Sequence, residues 1–341
     1  MLIDKNLFGT VDRVAVAIDR LQYFVPTEGY YLAFSGGKDS QTIYHLAKEA
    51  GVKFDAHFNL TTIDPPELIH FIKDNYPDVI IERPKRTMWQ LIARNGLPSR
   101  LKRWCCSELK EKGGEGRICV TGVRWAESNA RNKRRPFEVV TRKFKDAKLF
   151  NDNDEGRMMF ENCTQKGKRV INPIIDWEES DVWEFIKGRE LKYCILYDQG
   201  FKRIGCIGCP MSDKHRISDF ERWPKYYENY KRAVAKFLPG YLERAKTKGL
   251  TPQFTTPDEL MDWWINGKKD NTYEDTLVFE SLRMKSKEDK HMKNPKRPTM
   301  KQKIRLKLLG LDPRNWLICK DCTGCFEVIH RVSGEVRRLG A

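Results

Sequence analysis

An apolar run, a glycine turn and a helical run in immediate succession constrain this chain more than any other feature. Tyr30-Tyr31-Leu32-Ala33-Phe34 is short and apolar, as a buried strand is. Ser35-Gly36-Gly37-Lys38-Asp39-Ser40 follows, and a helical pattern then runs through Ala47. Two glycines at such a junction let the backbone turn sharply and approach a ligand closely. Free amides at the helix N-terminus, aided by the helix dipole, then meet an anion. The Ser35 and Ser40 hydroxyls add donors, and Lys38 adds charge. The Gly-x4-Gly-Lys-Ser/Thr spacing of a Walker A loop is missing. The plainer alternative is a strand-turn-helix built of turn-favouring residues.

The pattern around this junction repeats. Lys53 to Leu60, Val79-Ile80-Ile81 and Arg117 to Thr121 read as further strands, with helices from Pro65 to Tyr76 and from Met88 to Ala93. Such alternation predicts an α/β fold: a mainly parallel sheet with helices on both faces. Residues 8–24, with Phe8, Val11, Val14, Ile18 and Leu21 near helical spacing, predict an amphipathic helix within an N-terminal segment 1–28. Residues 124–170 read as loops and short strands near a site. Val170 to Ile175 is another apolar run, and Glu178 to Ile186 a helix. From Asp213 the pattern turns helical, over Arg222–Phe237, Pro257–Ile265 and Met300–Leu309, with Trp263-Trp264 read as core or interface. Phe326–His330 and Glu335–Leu339 flank Ser333-Gly334 as a hairpin would. The expected division is 1–28, 29–212, and a basic, mostly helical region 213–341 with a Cys-rich end.

The charge is informative about partners. The 341 residues carry a net +16, and residues 281–341 hold 16 Lys and Arg against 6 Asp and Glu. That local excess favours a polyanion, nucleic acid above all, over a merely solvated basic surface. No apolar run approaches the roughly 18 to 20 residues of a membrane span. The first residues lack a basic and apolar leader pattern, so the expectation is a cytoplasmic protein without a membrane partner.

Ten cysteines cluster in a way that suits metal or redox chemistry better than disulfides in a reducing compartment. Cys105-Cys106 and Cys206-x-x-Cys209 are flanked by Lys102, Arg103, Lys202 and Arg203, whose charge favours thiolates. Cys319, Cys322 and Cys325 form a third cluster. It reads as a second metal site with one outside ligand such as His330, as a persulfide relay, or as a structural knuckle. Cys119 lies in an apolar run as a small buried hydrophobe; Cys163 and Cys194 are isolated.

Gly122-Val123-Arg124-Trp125-Ala126-Glu127-Ser128-Asn129-Ala130-Arg131 follows the fourth strand-like run. Gly122 permits a tight turn at a strand's carboxyl end, where open α/β sheets bind ligands. Arg124 and Arg131 offer forks to phosphate or sulfate, and Glu127 can orient an arginine or bind a cation. A salt-bridged helix start is the plainer reading. Asn172-Pro173-Ile174-Ile175-Asp176-Trp177 comes next, with Asp176 and Trp177 read as a helix entry and packing element. Leu196-Tyr197-Asp198-Gln199-Gly200 leads on to Gly205-Cys206-Ile207-Gly208-Cys209-Pro210.

In this order, over residues 30–212, the four segments resemble the phosphoadenosine phosphosulfate (PAPS) reductase family of the PP-loop ATP pyrophosphatase superfamily, of adenine nucleotide alpha hydrolase-like fold. The resemblance implies that ATP is bound by Phe34, Ser35, Gly36, Gly37, Lys38, Asp39, Ser40, Gly122, Arg124 and Glu127. Lys38, Asp39, Arg124 and Arg131 would carry the chemistry. Asp39 would help hold Mg²⁺, a hard cation that shares oxygen ligands with phosphates; otherwise it is a charge at a helix start. The motifs fall nearest the branch of DNA phosphorothioation sulfurtransferases and adenylylsulfate reductases. There, an adjacent cysteine pair plus Cys-x-x-Cys holds a [4Fe–4S] cluster, and Cys105, Cys106, Cys206 and Cys209 match it. Zinc on the same ligands and unligated thiols are the alternatives.

The reductases carry a degenerate phosphate loop and a catalytic cysteine in a Glu-Cys-Gly-x-His-like motif. This sequence has a complete loop and lacks that motif. The resemblance therefore implies an ATP-dependent sulfurtransferase that forms AMP and pyrophosphate on a nucleic-acid acceptor, DNA or tRNA, with a cysteine desulfurase as sulfur donor. A thiol-dependent PAPS or adenylylsulfate reductase is one rival. A non-catalytic nucleotide and nucleic-acid binding module with an iron–sulfur sensor is the other.

Overall fold

The computed structural model of the chain describes residues 2–6, 9–100, 102–111, 113–129, 131–140, 148–155, 157, 167–212, 215–266, 298–322, 325–331 and 335–339. Packing divides the chain into two compact units, Met1–Asn271 and Thr272–Ala341. This division falls later than the one read near residue 212 from the sequence.

The first unit is organised by seven strands: β3 (Tyr30–Ala33), β4 (Phe54–Asn59), β5 (Ile80–Glu82), β6 (Cys119–Val120), β7 (Phe137–Val140), β8 (Lys148–Phe150) and β9 (Lys168–Ile171). Their order is β5-β4-β3-β6-β9-β7-β8. The first five in that order run parallel, as the alternating pattern predicts. β7 and β8 add an antiparallel edge within the stretch read as loops and short strands. Described helices of this unit are α1 (Arg13–Tyr23), α2 (Lys38–Glu49), α3 (Pro66–Asn75), α4 (Met88–Asn95), α5 (Trp104–Leu109), α6 (Glu179–Gly188), α7 (Arg216–Arg222), α8 (Pro224–Thr247) and α9 (Pro257–Asn266).

The helix expected from residue 8 starts only at Arg13. Asp12 caps it, accepting hydrogen bonds from the amides of Val14 and Ala15. Gly9–Asp12 instead pairs as strand β2 with β1 (Ile3–Asn6). The chain builds outward from β3 through β4 to β5, then returns to lay β6 on the other side of β3. β3 and β6 therefore flank the point where strand order reverses, and their carboxyl ends open a crevice there.

Two charged anchors hold this arrangement. Arg20 of α1 is buried; its Nη1 and Nη2 donate to the two Asp176 oxygens at 2.9 Å, and its Nε to Asp152 Oδ2 at 2.7 Å. A buried charge is tolerable when it is paired in this bidentate way. Asp176 is thus structural, and Trp177, 1% exposed, packs against Phe185 as the sequence reading expected. Trp264 is buried as well, its Nε1 donating to Pro98 O at 2.7 Å.

At the other end of the sheet, Arg117 grips Asp55 of β4 through both carboxylate oxygens and donates to the Gly29 and Tyr30 carbonyls. Arg117, then His57, hold the Asp55 carboxyl down at about 2. A depressed carboxylate pKa contributes stability that is present above its unfolded value and lost as pH falls through the folded one. Asp55→Asn is therefore expected to lower the thermal midpoint at neutral pH. Its deficit should close as pH falls from about 4 towards about 2. A deficit that stays constant in scanning calorimetry across that window would count against the Arg117–Asp55 grip.

The second unit contains α10 (Met300–Leu308) and an antiparallel sheet of β10 (Trp316–Cys322), β11 (Cys325–His330) and β12 (Val336–Leu339). β11 and β12 are the hairpin expected from the sequence; β10 extends it. Thr299 and Gln302 form a capping box at the start of α10. Leu306 packs into a core of Trp316, Ile318, Phe326 and Val328. Cys322 and Cys325 are cross-strand partners, and Cys319 falls at a register shift between Ile318 and Lys320. The side chains of those three cysteines, and all of Cys163, lie outside the described residues. Among the described residues no helix is long and apolar enough to cross a membrane.

Candidate functional site

The glycine turn joins β3 to α2 at the reversal point. Phe34 is buried against Tyr44 and Tyr76, which fixes where the turn begins. Gly36 has φ +71, and a Cβ there would stand 2.7 Å from the Leu68 and Ile72 side chains. Gly37 caps α2 with no side-chain hydrogen bond. The first-turn amides are thereby left to other partners. Ser40 Oγ donates to Gly37 O at 2.8 Å and lies 3.1 Å from Ser35 Oγ. The hydroxyls expected to reach a phosphate thus also brace the turn.

Gly122 ends β6 directly opposite. A Cβ on it would stand 2.9 Å from the Asp39 backbone oxygen, so glycine is what lets the end of β6 approach the first turn of α2. Arg124 is buried; its Nε donates to Asp39 Oδ1 at 2.6 Å and its Nη1 to Trp177 O at 3.4 Å. Glu127 Oε2 accepts from the Arg124 amide at 3.2 Å and from Arg131 Nη1. Glu127 therefore orients the arginine segment. Burial, then the nearby Arg203, with Arg134 and Arg124 adding, pulls Arg131 down to about 10. Cations gathered closely enough to depress one another favour an anion among them.

Lys38 and its surroundings differ from the simple expectation. Its Nζ donates to Lys202 O at 2.7 Å and stands 3.3 Å from Glu179 Oε1. Its backbone amide donates to the Tyr197 hydroxyl at 2.8 Å. An oxygen thus already sits on the amide that a phosphate would claim. Burial pushes the Tyr197 phenol up, so it stays protonated. Tyr197 and Glu179 received no role from the sequence. Tyr197 lay within a segment that carried the resemblance, and Glu179 in the first turn of an expected helix; both contacts are distant in the chain.

The two cysteine pairs converge. Cys105 and Cys106 lie on α5; Cys206 and Cys209 lie on a turn held by Ile207 N donating to Ile63 O at 2.8 Å, just beyond β4. Gly208, at φ +69, donates its amide to Asp219 Oδ2 at 3.0 Å, and Tyr230 donates to Ile207 O at 3.0 Å. A hydrogen bond to Cys106, burial, and the charges of Cys106, Cys206 and Cys209 all push the Cys105 thiol up. The same hydrogen bond, Arg103 and Lys110 draw Cys106 down against its burial. Arg103 Nη2 donates to Cys106 Sγ at 3.3 Å, and Thr61 Oγ1 stands 3.6 Å from Cys206 Sγ. Lys110 is raised by the charge on Cys206. It lies four residues after Cys106, so helical spacing alone could have flagged it. Among the described residues, no three His, Cys, Asp or Glu side chains stand at metal-ligating geometry. Cys119 and Cys194 are buried, as small hydrophobes are.

Gly36 supplies a direct test of the turn. Gly51 has a similar φ, +66, but open space where a Cβ would go. Gly36→Ala is therefore expected to cost more stability in urea unfolding than Gly51→Ala, whose strain alone is of order 1–3 kcal/mol. Only Gly36→Ala should also weaken nucleotide binding in calorimetry. Equal losses would show that the contact with Leu68 and Ile72 does not shape the turn.

Known proteins bear on the site as follows. A phosphoadenosine phosphosulfate reductase domain matches residues 29–212, and a domain of unknown function matches residues 292–341. An uncharacterized protein of Methanocaldococcus jannaschii is 25% identical over 229 residues, covering 64% of this chain and 50% of that protein. The adenosine 5'-phosphosulfate reductase of Oceanobacillus iheyensis is 31% identical over 174 residues, covering 48% of this chain and 61% of that protein. Among solved structures, the phosphoadenylyl-sulfate (PAPS) reductase from Candida auris aligns with TM-score 0.37 and 17% identity, over 56% of this chain and 87% of that one. The chain spans about half the length of the Methanocaldococcus relative. With more than half of its residues inside the matched domain, the chain belongs to the phosphoadenosine phosphosulfate reductase domain family.

Proposed function

We propose that the chain is an ATP-dependent sulfurtransferase-type enzyme that cleaves ATP between the α and β phosphates to activate a nucleic-acid acceptor. The observation that carries this reading is the complete glycine turn at the strand-order reversal, with a helix start that Gly37 leaves without a side-chain cap, closed over by Gly122 and Arg124. An acceptor oxygen attacks the α-phosphorus. The new O–P bond forms as the bond to the bridging oxygen breaks, and pyrophosphate leaves with that electron pair. A sulfur nucleophile, with a cysteine desulfurase as its supplier, then bonds to the activated atom, and AMP leaves with the oxygen.

The residues divide the work. The amides of the turn and Lys38 would stabilise charge on the departing pyrophosphate. To do so, Lys38 exchanges Lys202 O and Glu179 for phosphate, and Tyr197 gives up the amide. Arg124 and Arg131 would position the α-phosphate. Asp39 Oδ2 has no hydrogen-bond partner among the described residues, which suits a Mg²⁺ shared with phosphate oxygens. Cys105, Cys106, Cys206 and Cys209 would hold a [4Fe–4S] cluster. When bound, it supplies a carrier for sulfur or electrons. The donor chemistry fits, since Arg103 donates to Cys106 Sγ at 3.3 Å and Lys110 stands against Cys206, cations that favour the thiolates a cluster needs.

A second reading, a thiol-dependent sulfonucleotide reductase, is favoured by the names of relatives such as the Oceanobacillus reductase. Anaerobically purified protein given ATP labelled at the α-phosphate separates the two. AMP and pyrophosphate are expected to appear, to increase with DNA or with tRNA, and to fall about 100-fold or more in Lys38→Ala. No cleavage with either acceptor, together with sulfite release from PAPS and a thiol, would establish the reductase instead. The cluster is tested by iron and acid-labile sulfide analysis. Both are expected in the parent and lost in Cys105→Ser and Cys209→Ser; bound zinc without labile sulfide would overturn the assignment.

A further inference from the structure

We propose that the second unit carries a nucleic-acid docking groove on the exposed face of α10. This deepens the polyanionic-acceptor reading by naming where the acceptor strand rests. The helix presents two different sides. Leu306 enters the core, Arg305 lies over the Phe326 ring at 4.3 Å, and Gln302 Nε2 donates to Asp321 at 2.7 Å. Met300, Lys303, Ile304 and Lys307 fall at the i, i+3, i+4, i+7 spacing of another face. Met300 and Ile304 are 74% and 54% exposed. Together with Arg314 and Arg331 these four line a groove of about 890 Å³.

The charge in the groove is uncompensated. Asp312 is the acidic residue lining it, and it is bound by Arg314 Nη2 at 2.9 Å. Among the described residues, Lys303, Lys307 and Arg331 form no ion pair. Cations interleaved with apolar side chains match a strand whose phosphates alternate with bases and sugars. An anionic membrane is a poorer match, because Met300, Lys303, Ile304 and Lys307 mix apolar and basic side chains on one face of α10, whereas a helix lying on a membrane separates an apolar side from a basic one. The +16 net charge of the whole chain brings any polyanion near; the groove gives it a place to bind.

The test uses the full chain without ATP, so its outcome is independent of chemistry at the glycine turn. The probe is a fluorescein-labelled single-stranded oligonucleotide of roughly 20 nucleotides, titrated by anisotropy across a salt series. Lys303→Ala/Lys307→Ala is expected to weaken binding at least tenfold. It should also reduce the slope of log affinity against log salt by about 1.4, two released counterions on a single strand. Lys73→Ala/Lys236→Ala removes two exposed lysines from the first unit and should leave affinity within about twofold. Unchanged thermal midpoints would confirm that both variants fold. An unaltered slope in the first variant, an equal loss in the second, or binding to anionic vesicles but not to the oligonucleotide would overturn the proposal.

Discussion

The close approach of a strand end to a helix start underlies the whole candidate site. Gly122, at the end of β6, lies against the Asp39 backbone at a distance no Cβ would permit, and Arg124 locks the contact by gripping the Asp39 side chain. Because β3 and β6 are neighbours at the strand-order reversal, this contact brings a helix start without a side-chain cap and an arginine segment to one crevice. Arg124 is buried, so the pair is a strong one: breaking it would leave a charge without a partner in a poorly solvated place. Arg20 does similar work behind the sheet. Its fork on Asp176 holds the Asn172–Trp177 segment, whose Trp177 carbonyl receives Arg124 in turn.

Electrostatics in the first unit are strained in two places, in opposite senses. Arg131 is pulled down by burial first and then by the neighbouring Arg203, Arg134 and Arg124. Cys105 is pushed up by its hydrogen bond to Cys106, by burial and by the neighbouring thiols, and Cys209 by burial first, while Cys106 is drawn down by Cys105 and Arg103. Elsewhere charges are matched: Arg117 with Asp55, Arg134 with Glu138, Arg189 with Glu49.

Much of this was legible in the sequence, for reasons that differ by element. The parallel strands were readable because each is a short apolar run beside a helical pattern, and the glycine turn because its chemistry is local. β7 was legible only as one of the short strands expected somewhere in residues 124–170, since it sits among arginines and gains its place only by pairing Phe137 with Ile171. β1 and β2 were missed because Asp12 begins the helix that the apolar spacing of Phe8 and Val11 extends backwards. The same distinction governs the site. Lys38, Asp39, Arg124 and the cysteine pairs announce themselves by motif; their partners do not. Tyr197 and Glu179 meet Lys38 through contacts spanning well over a hundred residues, which no local pattern encodes.

Those partners change how the motif is understood. One loop carries Tyr197, Lys202 and Arg203 at one end and Cys206 and Cys209 at the other. Its first part touches Lys38 twice, the Tyr197 hydroxyl on its amide and the Lys202 carbonyl on its ammonium, and Arg203 lies near Arg131. Its last part is pinned to the residues beyond β4 by Ile207 and held beneath by Tyr230. An anion that takes the Lys38 amide must displace the Tyr197 hydroxyl, and one that draws Lys38 forward must free the Lys202 carbonyl. Both exchanges act on the same loop that presents two of the four converging thiols. The glycine turn and two of the four cysteines are thus joined by a single covalent segment, each end of which is held by its own contacts.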